Sequence, residues 1–233
     1  MNAKPLQPWK TVNTKTIVDN PWLKVQKNEV ELASQMRIPD FYTVTIPDAS
    51  AVVALDENEN VILKREYRYA QQKELIEIPA GAFDDRETDP LAVAKRELRE
   101  ETGYVSSHWI ELGATVDCSA KLTNTMHLFL ALSCTKAGTP ELDATEDVET
   151  LLVPFAQAID MVMRNEICCN SSSAALLKAQ HILQKREKQS AHEKRHDRHG
   201  GLSRCRNRRQ RHPDHKPRQN AAPQAGNHAN REK

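Results

Sequence analysis

Short apolar runs broken by polar turns fill the first third of the chain and predict strands. Residues 16–18 and 23–26 flank Asp19-Asn20-Pro21, a turn tripeptide. Residues 29–32 and 41–46 alternate or cluster β-formers. Residues 51–55 (Ala-Val-Val-Ala-Leu) and 61–63 (Val-Ile-Leu) stand either side of Asp56-Glu57-Asn58-Glu59-Asn60, which predicts a hairpin. A further strand at 75–78 ends at Pro79-Ala80-Gly81.

The period then changes. Asp89 suits an N-cap, and Pro90 suits the first helical position, where a missing N–H costs nothing. Leu91, Ala94 and Leu98 form an apolar stripe, and Gly103 suits the left-handed position that ends a helix. Strands are expected again at 109–116, 126–132 and 149–153, and helices at 155–164 and 172–184. Strands on both sides of one central helix indicate a mixed α/β (α+β) domain rather than a regular βαβ repeat.

Charge divides the chain. Residues 185–233 carry 15 Lys and Arg against 5 Asp and Glu, six of the nine histidines and, Leu202 excepted, no Val, Ile, Leu or aromatic side chains. Such a segment cannot bury enough apolar surface to offset its ordering entropy and is expected to be a disordered basic tail. The expected organisation is an N-terminal β region (1–48), a central domain (49–184) and that tail. The remainder holds 18 basic and 27 acidic residues, so the domain is acidic. No run approaches the roughly 18 apolar residues of a spanning helix, and no secretory pattern opens the sequence. Five cysteines without a CxxC pair argue against a disulfide framework and a structural zinc site. A cytoplasmic protein without membrane association is the expectation.

The run Arg96-Glu97-Leu98-Arg99-Glu100-Glu101-Thr102-Gly103 carries the chemistry. On a helix, Glu97, Glu100 and Glu101 stand at i, i+3 and i+4 and project from one face. Like charges at that spacing repel, and a hard divalent cation relieves the repulsion; Mg²⁺ accepts one or two carboxylates and is completed by substrate phosphates. Arg96 lies one turn before Glu100 and can hold it. The alternative is a solvated Glu-rich helix face. The glycine-containing bend that a buried strand delivers just before the helix argues against it.

These residues resemble the Nudix hydrolases, whose box reads Gly, five residues, Glu, seven residues, then Arg-Glu-apolar-any-Glu-Glu-any-Gly-apolar. Gly81, Glu87 and Arg96 to Tyr104 match its two halves, but eight residues separate Glu87 from Arg96. Either the loop carries an insertion, or Ala82 and Thr88 take the positions of Gly and Glu. The resemblance implies an α/β/α sandwich with a small N-terminal sheet. Arg65-Glu66-Tyr67-Arg68-Tyr69 and Glu77-Ile78-Pro79-Ala80-Gly81 further resemble the subgroup that cleaves ADP-ribose and related nucleoside diphosphate sugars.

That resemblance implies metal ligation by Glu97, Glu101 and the Ala80 carbonyl, with Glu100 assisting, Asp84 as a further carboxylate, and Mg²⁺ or Mn²⁺ as the ion. It places Arg68 and Glu77 at the substrate pocket, with Arg65 beside them. A glutamate from a late loop helps to activate water; Glu146 is the first choice, with Glu100 as an alternative and Glu149 and Glu141 in reserve. ADP-ribose is the implied substrate. The region where ADP-ribose hydrolases usually carry a Ser-Pro-Gly-like segment reads Ser119-Ala120-Lys121, which keeps a GDP-mannose-type sugar nucleotide open.

The resemblance also implies a homodimer formed through the N-terminal strands. Trp22 and Tyr42 are possible base-stacking residues, with core packing the expected role. Cys168-Cys169 is expected to pack as small hydrophobes near a helix start, and His127 to be a core or surface histidine. The rival class is a non-catalytic Nudix-fold protein whose tail, around Arg204 to Arg211, binds RNA through phosphate contacts.

Overall fold

The computed structural model describes residues 5–143 and 147–206, with side chains to residue 190. The chain divides into two compact units, Met1–Lys185 and Arg186–Lys233.

The first unit opens with a separate antiparallel sheet in the order β1 (Lys10–Asp19), β2 (Lys24–Glu31), β3 (Arg37–Thr45). The Asp19-Asn20-Pro21 turn closes its first hairpin, and the Asn20 side chain accepts from the N–H groups of Trp22 and Leu23. The apolar pieces expected at 23–26 and 29–32 belong to one strand, because Lys27 and Asn28 between them keep the ladder.

The larger sheet has eight strands. β4 (Ala49–Asp56) and β10 (Met126–Lys136) run parallel at its centre, and β5 (Asn60–Arg68) and β11 (Val148–Pro154) extend it on one side. β9 (His108–Thr115) and the two-residue β8 (Tyr104–Val105) pair with β10 on the other. The predicted hairpin forms but is brief: β4 and β5 pair only through Ala54–Ile62 and Leu55–Val61. Beyond that point the strands diverge. β6 (Lys73–Glu77) pairs with β5, Pro79 accepts from the Val52 N–H, and β7 (Ala80–Ala82) pairs with β4. The bend at Ala80-Gly81 is thus held in the cleft between two strands.

Period-two alternation in β4 builds two cores. Ala51, Val53 and Leu55 face α2 (Phe155–Met163) and α3 (Asn170–Arg206), packing with Ile159, Val162 and Leu176. Val52 and Ala54 face α1 (Pro90–Thr102), packing with Ala94 and Leu98. Strands buried on both faces read as unbroken apolar runs, which is the pattern at 51–55 and 128–132. The result is the expected α/β/α sandwich. α3 continues past Gln184 to Arg206, into the segment expected to be disordered, and no proline interrupts it. From residue 207 the segment expected to be disordered lies outside the described residues.

Trp22 and Tyr42 do not pack in the core: they are 80% and 41% exposed, on a sheet whose first strand is exposed throughout. Cys168 is likewise exposed and Cys169 only partly covered, since both precede the first residue of α3 rather than lying inside it. His127, partly buried on β10, lies 5.8 Å from the Phe83 ring. Among the described residues, no helix is long and apolar enough to cross a membrane.

Candidate active site

α1 presents its carboxylates to the Ala80-Gly81 bend because its two ends are fixed. Asp89 caps the start by accepting from the Leu91 N–H at 3.0 Å, with Pro90 at the first helical position. Gly103 ends it at φ 73°, and its N–H donates to the Arg99 carbonyl. A Cβ at Gly103 would also lie 2.3 Å from the Gly138 carbonyl oxygen, so glycine is required twice over.

Glu97 and Glu101, one turn apart, face the sheet and are largely buried. One Glu101 oxygen accepts from the Ala80 N–H at 3.0 Å, and the other pairs with Lys64 Nζ. Burial pushes the Glu101 carboxyl up to about 7, against the attraction of Lys64. Glu97 is also raised by burial, opposed by Arg96 at 2.7 Å. Gly81 explains the close approach: a Cβ there would stand 2.0 Å from Glu97 Oε1. Glu100 takes the flank of the helix, held by Arg96 at 3.1 Å and by Arg99 at 3.0 Å. Glu97 and Glu100 share the same Arg96 nitrogen, whereas Glu101 is held separately by Lys64 and the Ala80 N–H.

Arg96 organises this stripe and the loop before it. Its Nε and Nη2 donate to the two Glu87 oxygens, each at 3.0 Å, and Nη2 also donates to the Ala82 carbonyl at 3.1 Å. Of the two alignments of the box, the one through Gly81 and Glu87 therefore brings both side-chain positions onto the helix. The extra residue is absorbed in the loop. Asp84 is exposed, and its backbone N–H donates to Glu87.

Arg68 and Glu77 meet as expected: Arg68 Nε donates to Glu77 at 2.8 Å, while Nη1 donates to Glu66 at 2.9 Å. Burial would lower the Arg68 pKa, but Glu77 and Glu66 outweigh it and raise it. Both residues line a cleft of about 450 Å³ together with Ala80, Gly81, Asp117 and Ser171. This volume lies within the roughly 300–1,000 Å³ of small-ligand sites.

Arg65 is not brought there. Period two turns it to the opposite face of β5, where it pairs with Glu149 and, at 3.7 Å, with Glu74. Glu141 is also committed, to Arg99 at 3.0 Å, while its N–H donates to the Glu100 carbonyl. Glu146 lies outside the described residues.

Two residues escaped the sequence reading, Lys64 and Glu66. Their signal was the alternation Lys64, Glu66, Arg68 directly after a fully buried run, which places three charged groups on the α1 face of one strand.

Among the described residues, no three His, Cys, Asp or Glu groups converge closely enough to enclose a cation by themselves. The donors present are hard oxygens, with two largely buried carboxylates at one bend. They fit a hard divalent cation that is only partly enclosed by the protein, rather than a full protein cage.

Comparisons with known proteins bear on the family and the fold. The NUDIX domain model matches residues 45–167. ADP-ribose pyrophosphatase of Mycobacterium tuberculosis is 34% identical over 130 residues, which span 55% of this chain and 63% of that relative. ADP-ribose pyrophosphatase of Bacillus subtilis is 30% identical over 164 residues, 68% of this chain and 85% of that one. A crystal structure described as an ADP compounds hydrolase superposes with a TM-score of 0.68 at 20% identity, covering 79% of this chain and 98% of that one, and supports the fold. With the box residues gathered at one bend and the family model spanning more than half its length, the chain belongs to the Nudix family and is a Nudix hydrolase similar to ADP-ribose pyrophosphatases.

Proposed function

We propose that the chain hydrolyses the diphosphate bond of a nucleoside diphosphate sugar, with ADP-ribose as the leading substrate and AMP and ribose 5-phosphate as products. The observation that carries this reading is the placement of Glu97 and Glu101 against the Ala80-Gly81 bend, with Arg68 lining the same cleft. Two of the similar proteins carry ADP-ribose pyrophosphatase activity in their names.

Glu97, Glu101 and the Ala80 carbonyl, with Glu100 beside them, would hold a divalent cation, Mg²⁺ first and Mn²⁺ second. When bound, such an ion neutralises diphosphate charge and lowers the pKa of water. The protein's own groups do the rest. Arg96 fixes Glu97 and Glu100 so that neither has to be ordered when substrate arrives. Arg68 spends three of its five N–H donors on Glu66 and Glu77, which leaves two for a phosphate oxygen. Glu77 and Glu66 thereby orient the guanidinium. Glu146 is proposed to orient the attacking water. Glu100, held by two arginines, serves better as a brace for Arg96 than as a base.

The N-terminal sheet supports a homodimer. β1 is exposed along its length, with Val12, Ile17 and Val18 open to solvent, and an exposed edge strand invites pairing. Light scattering during gel filtration should give twice the chain mass.

A panel of ADP-ribose, GDP-mannose, ADP-glucose and NADH, each with and without Mg²⁺, tests the substrate. Monophosphate released fastest from ADP-ribose, and only with the ion, is the expected result. Preference for GDP-mannose would move the chain to the alternative sugar nucleotide, and no release from any of the four would refute the reading.

A further inference from the structure

β5 enters the core through Val61, Ile62 and Leu63, all fully buried, and the next residue is a lysine that is only 2% exposed. An ammonium buried this deeply needs paired negative charge. Lys64 has two partners. Its Nζ is bonded to Glu101 Oε1, and Glu66 Oε2 lies 3.4 Å away. Glu66 is itself fixed, because its other oxygen accepts from Arg68 at 2.9 Å. The ammonium therefore sits between two carboxylates, one on the helix that carries the box and one on its own strand.

We propose that Lys64 is a positioning residue that serves as the resident counter-ion of Glu101 in the metal-free chain and shifts onto Glu66 when a divalent cation takes that carboxylate. The proposal rests on the reading of Glu101 as a cation ligand. Three donors on a flexible four-carbon stem allow the exchange without moving the backbone. A divalent cation and an ammonium on one carboxylate repel each other, so the lysine has to yield. Lys64 thus keeps Glu101 aimed at the bend before metal arrives and weakens metal binding by competing for it.

Mn²⁺ titration of the full chain, followed by the EPR signal of the free ion, tests this with wild type, Lys64→Gln, Lys64→Arg and Glu101→Gln. Glutamine keeps a donor for Glu101 without charge, so Lys64→Gln should bind Mn²⁺ about tenfold tighter or more, the scale on which one neighbouring charge alters a charged site. Lys64→Arg, which restores the charge, should return affinity toward wild type. Metal-free Lys64→Gln should also melt below wild type and gain more from added Mn²⁺. Should Lys64→Gln fail to fold, Glu66→Gln removes the second seat and should weaken Mn²⁺ binding several-fold. Unchanged or weaker binding in Lys64→Gln, with binding lost in Glu101→Gln, overturns the role of Lys64 and leaves the cation site standing. So does unchanged binding in Glu66→Gln. Wild-type binding in Glu101→Gln overturns the cation reading and this proposal together.

Discussion

Gly81 and Glu97 occupy space that no other residue pair of their kind could share: a Cβ on Gly81 would fall 2.0 Å from Glu97 Oε1 and 2.2 Å from its carboxyl carbon. The bend and the helix are therefore fitted to each other at the site. Gly81→Ala must push the Glu97 carboxylate off the bend. The expected outcome is a fall in kcat/KM of about tenfold or more with little loss of stability, because the clashing atoms are the end of a flexible side chain that can swing away. Steady-state kinetics and urea unfolding check both, and wild-type kinetics in the variant would show that the close approach has no functional role.

Arg96 holds Glu87, Glu97 and Glu100 together, so Arg96→Ala leaves Glu97 largely buried without its nearest counter-charge. A fully buried pair broken this way costs about 3–5 kcal/mol. A quarter of the Arg96 side chain is exposed, which reduces the expected loss to about 2 kcal/mol. Arg96→Lys keeps the charge but not the fork onto Glu87 and should fall between the two. Chemical denaturation of the three proteins checks the order.

Arg96, through direct hydrogen bonds, holds Glu87 below its ordinary value of 4.5. A carboxylate with a depressed folded pKa contributes stability above its unfolded value and loses that contribution as pH falls through the folded one. Wild type should therefore be more stable than Glu87→Gln at neutral pH, and the two should converge as the pH drops below 4.5. Thermal unfolding across that range checks this, and a gap that persists in acid would assign the effect to packing.

The packed core of α3 ends before the basic segment, with Ala175, Leu176 and Ala179 buried and Ile182 and Leu183 partly so. A chain ending at Gln184 should retain its melting temperature and hydrolysis. Loss of hydrolysis would place part of the function in Lys185–Lys233, and loss of RNA affinity in the truncated chain would favour the tail-mediated binding reading.

Much of this was legible from side-chain period and cap chemistry. The 51–55 and 61–63 runs are continuous because both faces of their strands are covered. Asp89, Pro90 and Gly103 bound α1 for local reasons that need no tertiary context. The resemblance carried by Arg96 to Tyr104 is the source of the roles proposed for the carboxylates.

What was not legible depends on long-range geometry. β7 and β8 are two or three residues long and exist only because β4 and β10 present open edges to them. Arg65 and Arg68 look alike in sequence, and only the facing of β5 separates the cleft from the far surface. Lys64 drew no reading from the sequence, because nothing local announces that Glu101, 37 residues later, will lie beside it.

The most direct test is AMP release from ADP-ribose in the presence of Mg²⁺ by wild type and Glu101→Gln. Loss of about a hundredfold or more in kcat, the scale on which one charged group acts in a closed site, with an unchanged circular dichroism spectrum, is the predicted result. Near-normal turnover by the folded variant would contradict the assignment of the carboxylate at the Ala80-Gly81 bend to the hydrolysis.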